Sequence, residues 1–256
     1  MTAAEQTPNR KVFALTGSDR IDFLQGLVTN DVGRLGEGLV YAALLSPQGK
    51  YLADFFLAGE GDGVLLDVHA DLAEGLLRRL SMYKLRADVA ITPTELHVLR
   101  GLGPAPKGAL DDPRHPSLGW RAYSDTPGAA PCIDWDALRV AACVPESGIE
   151  LIPDESYILE CGFERLNGVD FRKGCYVGQE VTARMKHKTE LRKGLTTVAI
   201  EGAGPVGSDI MAGDKVAGRL FTQSGGRAIA YLRFDRAEGA EMRAGDAKIR
   251  MLEPGG

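Results

Sequence analysis

The stretch Lys173-Gly174-Cys175-Tyr176-Val177-Gly178-Gln179-Glu180 decides how this chain is read. One cysteine sits between two glycines, beside cations, a phenol, an amide and a carboxylate. A core segment does not place two glycines in five residues. Gly174 and Gly178 permit φ > 0 or a close approach of the backbone to a ligand. Arg172 and Lys173 favour the thiolate if Cys175 faces them, and the thiolate is the reactive form. A basic run follows: Arg184, Lys186, Lys188, Arg192 and Lys193, with His187 among them and Glu190 as the one acid. A reactive thiol beside a cationic surface points to an anionic ligand.

Outward from this stretch the chain divides by texture. Glu180 and Arg184 are four apart, which suits a short helix after the loop. From Gly194 onward, apolar runs at 195–200, 215–222, 228–234 and 247–252 alternate with glycine clusters, the pattern of a small all-β module, a barrel. Upstream, 156–166 and 134–144 read as helices, the latter with Trp135, Leu138 and Ala142 in phase. Residues 101–131 hold six prolines and five glycines and read as a loop-rich crossing with few regular elements. Before it come strands at 12–15, 41–45, 51–57, 64–69, 89–92 and 96–100. Residues 41–57 form a hairpin about Ser46-Pro47-Gln48-Gly49-Lys50. A helix reaches from Asp19 to about Val28. A second follows a capping box, Asp71-Leu72-Ala73-Glu74. This mixed order argues for an α+β fold rather than a regular βαβ series.

The chain has 256 residues, 44% hydrophobic, enough for two or three subdomains. Its net charge of −5 argues against a general nucleic-acid coat, and no stable nucleic-acid complex is expected. No apolar run approaches the roughly 20 residues of a membrane span. The polar Met1 to Arg10 segment has no apolar signal core, so the expectation is a cytosolic protein. The four cysteines, 132, 143, 161 and 175, show no metal-ligand spacing, and no resident metal site is expected. Cys132, Cys143 and Cys161 have small or apolar neighbours and read as buried.

Taken together, Lys173 to Glu180 continued by Val181-Thr182-Ala183-Arg184 resembles the signature of the YgfZ family. That family includes a mitochondrial iron–sulfur maturation factor and is distantly similar to the aminomethyltransferase (T-protein) of the glycine cleavage system. Phe23-Leu24-Gln25-Gly26 with Thr29-Asn30-Asp31 resembles the family's N-terminal helix. Ser46 to Lys50 with Asp54-Phe55 resembles its hairpin, and Asn167-Gly168-Val169-Asp170-Phe171 precedes the cysteine as in the family. The resemblance covers most of the chain. It implies an α+β cloverleaf of three domains around a central opening, like the T-protein, with a small C-terminal β-barrel. The expected domains are 1–45 with 132–186, then 46–131, then 187–256.

The resemblance also implies tetrahydrofolate binding and a role in assembling or repairing iron–sulfur enzymes, including tRNA-modifying ones. The expected partners are therefore folate and iron–sulfur client enzymes or assembly proteins. T-proteins carry an acidic pair where this chain has Ala53-Asp54, and they lack the cysteine motif. Both departures argue against the alternative, a folate-dependent aminomethyltransferase-like enzyme. A third reading is a scaffold with a vestigial site. Within the leading reading Cys175 is a nucleophile, a transient ligand for iron or sulfide, or a redox thiol, with Lys173 beside it. A buried structural cysteine is its bland alternative. Asp54 and Glu160 hold the pterin. Tyr176 stacks on the ring or merely packs, and Gln179 orients the loop. Arg184 and its basic neighbours bind the glutamate tail, or form only a solvated face. Asn30 and Gln25 are weaker candidates.

Overall fold

The structure, a computed structural model, describes residues 4–187 and 191–252. Along the chain come β1 (Glu5–Gln6), β2 (Arg10–Thr16), α1 (Arg20–Gln25), β3 (Val40–Leu45), β4 (Tyr51–Glu60) and β5 (Gly63–His69). Then follow α2 (Ala70–Lys84), β6 (Ala90–Pro93), β7 (His97–Gly101), β8 (Leu110–Asp111), β9 (Trp120–Ser124), α3 (Trp135–Ala142) and α4 (Gln179–Lys186). The C-terminal strands are β10 (Lys193–Glu201), β11 (Asp209–Ala212), β12 (Lys215–Ser224), β13 (Arg227–Arg233), β14 (Met242–Ala244) and β15 (Ala247–Met251), with α5 (Phe234–Ala237) before β14.

Three sheets result. The first has the order β3-β4-β5-β2-β6, all pairs antiparallel. It is buried on both faces, which is why β3 and β4 are near-continuous apolar runs rather than alternating ones. One face, with Leu44, Phe55, Leu57 and Leu66, packs on Leu24 of α1 and Leu76 and Leu80 of α2. The other, with Tyr41, Tyr51 and Phe56, packs on Leu151, Ile158, Phe163, Leu166 and Tyr176. The second sheet has the order β1-β7-β9-β8. The third closes into a barrel, β10-β13-β12-β11-β14-β15, so it exposes no free edge. The barrel docks on α3 through Val140, Phe221 and Ile229. No described helix is long and apolar enough to cross a membrane.

Several expectations need correction. Residues 156–166 are a chain of turns, not a helix. Gly162 takes φ +79° there, and amides such as Phe163 N bond five residues back to Ile158 O. Within 101–131, β9 is a full strand paired to β7 over five residues. Helix α1 stops at Gln25, and α2 is capped by His69, whose Nδ1 accepts from Asp71 N at 3.3 Å, so Asp71 lies inside the helix. The boundary expected between 45 and 46 falls inside the β3–β4 hairpin, whose strands pair from Val40↔Leu57 to Leu45↔Tyr51.

Candidate functional site

The cysteine loop is built on Asp170, whose Oδ1 accepts from the backbone N of Arg172 at 2.6 Å and of Lys173 at 3.2 Å. Lys173 turns inward from there. Its ammonium donates to the carbonyls of Gln25, at 2.7 Å, and Val28, which end the α1 segment. It also lies 5.0 Å from the Tyr176 ring centre. Burial pulls the Lys173 pKa down to about 8. Lys173 therefore anchors the loop. It is not the thiolate's partner that the sequence suggested, because its ammonium is directed at the two carbonyls that end the α1 segment.

Gly178 takes φ +82°, and a Cβ there would lie 2.5 Å from Ser46 O. The glycine is thus required for the cysteine loop to seat against the β3–β4 turn. Helix α4 starts immediately after it. The result is an exposed Cys175 between two fixed points, Lys173 and Gly178. Tyr176 is buried in the core with its hydroxyl pushed up to about 12 by burial, so it packs and offers no ring face to a ligand. Gln179 bonds through its backbone N to Tyr176 O and so closes the loop. Arg184 is exposed and does not pair with Glu180. Lys186 pairs with Glu164 instead, while Lys188 and Glu190 lie outside the described residues.

Of the other cysteines, Cys132 is exposed, contrary to expectation, and donates its thiol to Glu5 at 3.0 Å. That hydrogen bond pushes the Cys132 thiol pKa up. Burial pushes up Cys143, and Cys161 to about 12.

Asp54 lies in the middle of β4 and is 3% exposed. Its carboxylate accepts three hydroxyl bonds: Tyr41 at 3.0 Å, Tyr51 at 2.6 Å and Ser147 at 2.6 Å. Burial, and then the Asp54 charge, raise both tyrosine pKa values, which keeps them donors. The cavity beside Asp54 has a volume of 20 Å³, room for about one or two waters. A pterin does not fit it.

Glu160 is elsewhere. Its carboxylate accepts from Tyr231 of β13 at 2.6 Å and lies 3.7 Å from Lys193. Its backbone O accepts from Leu195 N at 2.7 Å, so the residue joins the turn segment to the barrel. Tyr231 and Lys193 also line a groove of 400 Å³ between residues 150–156 and the barrel. Phe221 and Ile152 form its apolar wall, and Arg219, Arg233 and Arg236 its cationic rim. Asp54 and Glu160 are thus not two walls of one pocket. Asn30 and Gln25 are structural: Asn30 Nδ2 donates to Tyr41 O and Asn167 O, and Gln25 bonds Asp31 and Val32 N.

The sequence reading missed a buried ionic network around Phe56. Arg10, Arg114 and Arg121 set their guanidinium carbons 5.7, 4.8 and 4.0 Å from that ring centre. Asp67 holds Arg10 at 2.6 Å and Arg121 at 3.1 Å. Asp112 takes Arg114 in a bidentate pair at 3.0 and 2.8 Å, and Arg121 at 3.3 Å. Burial pushes the Asp112 carboxyl up, but Arg114 and Arg121 outweigh it and hold it at about 2. Arg139 pairs with Glu150 at 3.2 Å. One signal was present: Arg139 sits among Trp135, Leu138 and Ala142 on the apolar face of α3. The strand arginines gave none.

Residues 192–255 match the family model of the CAF17 C-terminal beta-barrel domain. Over 276 residues the chain is 31% identical to a mouse (Mus musculus) protein named iron-sulfur cluster assembly factor IBA57, mitochondrial. That match covers 90% of this chain and 77% of the mouse protein. The chain belongs to the IBA57 family of iron–sulfur cluster assembly factors. An IBA57 homolog from Mycosarcoma maydis is 34% identical over 231 residues, or 78% of this chain, and the chain spans only 57% of that protein's length. The aminomethyltransferase T of the glycine cleavage system from Bartonella henselae superposes with a TM-score of 0.73 at 15% identity. It covers 96% of this chain and 83% of its own. The T-protein-like α+β fold with a small C-terminal barrel is therefore as the sequence implied. These IBA57 relatives are named as mitochondrial, which overturns the expectation of a cytosolic protein.

Proposed function

We propose that this protein acts as an accessory factor in iron–sulfur cluster assembly, with Cys175 as its reactive thiol and the cluster or its iron as cargo. The observation that carries the reading is the placement of Cys175. It is exposed on a loop fixed at both sides, whereas Cys132 is tied to Glu5, Cys161 is buried and Cys143 is half-buried. The described residues contain no group of three or more His, Cys, Asp or Glu able to hold a metal. An iron–sulfur cluster takes about four protein ligands. Cys175 therefore supplies one, and an assembly or client protein supplies the rest. Clients that include tRNA-modifying iron–sulfur enzymes enter this reading through the resemblance of the Lys173–Arg184 motif to the YgfZ signature. In a strain lacking its own copy, the wild-type gene is expected to restore iron–sulfur enzyme activity and Cys175→Ala to fail. Full restoration by Cys175→Ala at equal protein level would remove the thiol from the mechanism.

Tetrahydrofolate belongs to the same reading, but in the groove beside Glu160 rather than at Asp54. The groove has the volume of a ligand pocket. Tyr231 offers a ring face, and Arg219 and Arg233 offer cations to glutamate carboxylates. Bound tetrahydrofolate supplies a one-carbon carrier and a reduced pterin. Calorimetric titration with tetrahydrofolate is expected to show binding that Arg219→Ala weakens about tenfold and Cys175→Ala leaves intact. No binding by the wild type removes the folate and leaves the thiol reading standing. Aminomethyl transfer is not adopted, because it needs Asp54 free to meet an amine, and three hydroxyls occupy that carboxylate.

A further inference from the structure

Two buried polar atoms without a hydrogen-bond partner belong to residues that line the same cavity. They are the hydroxyl of Thr7 and Nε of Arg100. Thr7, in the arm between β1 and β2, is 6% exposed. Arg100, on β7, sets its guanidinium carbon 4.1 Å from the Trp135 ring centre on α3. Among the described residues no carboxylate pairs with it. Every other arginine on the lining has a carboxylate: Asp67 for Arg10 and Arg121, Asp112 for Arg114, and Glu150 for Arg139. Arg100 is half-buried, but its Nε is fully enclosed, and a buried polar atom without a partner is costly. Burial, and then the charge of Arg121, lower the Arg100 pKa to about 10, so it remains a cation at neutral pH.

We propose that this cavity is a binding site for one compact anion, held by the Arg100 guanidinium and the Thr7 hydroxyl. A water would satisfy the two orphan donors; an anion would satisfy them and also answer the arginines of the lining. The volume of 20 Å³ admits a single halide and excludes a tetrahedral oxyanion or a folate. Five arginines line the cavity against three acids, Asp54, Asp112 and Glu146, so the lining is net cationic. Asp54 accepts from Tyr41, Tyr51 and Ser147, Asp112 from Arg114, and Glu146 lies 3.7 Å from Arg139. The bound anion ties the N-terminal arm to β7 and, through Trp135, to α3. The site is separate from Cys175 and from the barrel groove, and it stands whether or not the protein handles iron–sulfur clusters.

The test is thermal unfolding of the whole chain in sodium bromide, with sodium phosphate as an anion too large for the cavity. Ionic strength is held constant with sodium gluconate, whose anion is too large to enter. A saturable rise in Tm is expected for the wild type in bromide, with the apparent affinity reduced about tenfold or more in Arg100→Met and lowered in the near-isosteric Thr7→Val. Crystals grown in bromide are expected to show an anomalous peak beside Arg100. An equal rise in wild type and both variants, no saturable rise at all, or a cavity holding only water in those crystals overturns the proposal.

Discussion

Lys173 shows how one buried side chain changes meaning between sequence and structure. A lysine beside a motif cysteine reads as a cation for a thiolate, yet here it ends α1 by donating to Gln25 O and Val28 O. Removing it leaves those carbonyls unsatisfied, so Lys173→Met is expected to cost about 1–3 kcal/mol. The pH dependence has a definite sign. Burial puts the folded-state pKa at about 8 against the ordinary 10.5. Below about 8 both states hold the proton and the cost of burying the charge is fully present. Between those values the unfolded chain binds a proton that the folded one has released, so stability rises with pH. Urea unfolding of wild type and Lys173→Met at pH 7 and pH 9.5 reads this directly. The stability difference between them is expected to grow in favour of the wild type at the higher pH, and a constant difference would contradict the assignment. The motif was legible as a site in the sequence. The direction of its lysine was not, because α1 lies some 150 residues earlier in the chain and nothing local records that contact.

At the scale of elements, legibility followed how locally each one is determined. The β3–β4 hairpin and the strands about it were visible because apolar runs alternate with turn residues. Strands β11 and β14 are only four and three residues long and left no pattern to read. Residues 157–166 imitate a helix, with Ile158, Leu159, Cys161, Phe163 and Leu166 apolar, but Gly162 and Asn167 take positive φ and turn the chain instead. β9 hides among prolines and shows only when β7 supplies its partner. Helix α4 is set by one such residue. Gly178→Ala forces a Cβ against Ser46 O and an alanine into φ +82°, at a cost of at least about 1–3 kcal/mol. Urea unfolding measures the loss. Hydrogen exchange should localise it to 174–182 and to the β3–β4 turn together, since the two are in contact. A variant as stable as the wild type would mean that the loop seats without this close approach.

For the molecule as a whole, the question is what fixes the barrel to the body. The apolar contact is small, Val140 on α3 against Phe221 and Ile229. Beside it stands Glu150, 2% exposed, which no periodicity in the sequence singled out. One carboxylate oxygen accepts from Arg139 at 3.2 Å and Glu146 N at 2.8 Å. The other accepts from Thr222 N at 3.2 Å and Thr222 Oγ1 at 2.6 Å. Thr222 belongs to the barrel and Arg139 to the body, so the carboxylate is a bridge between them. Arg139 also reaches Thr222 Oγ1 itself, at 3.1 Å. Glu150→Ala leaves that guanidinium buried with Asp136 and Glu146 as its remaining carboxylates, and breaking one side of a buried pair costs about 3–5 kcal/mol. Glu150→Gln keeps one acceptor oxygen and is expected to cost less. Because the lost bonds span the two parts, the damage should appear as separation. The amide of Leu195, which holds the barrel to Glu160 O, should exchange faster, while those of β4 and β5 in the first sheet keep their protection. Unfolding in urea should then split into two steps. A loss below about 1 kcal/mol with unchanged exchange at Leu195 would instead show that the apolar patch and the Glu160–Tyr231 bond suffice to hold the barrel in place.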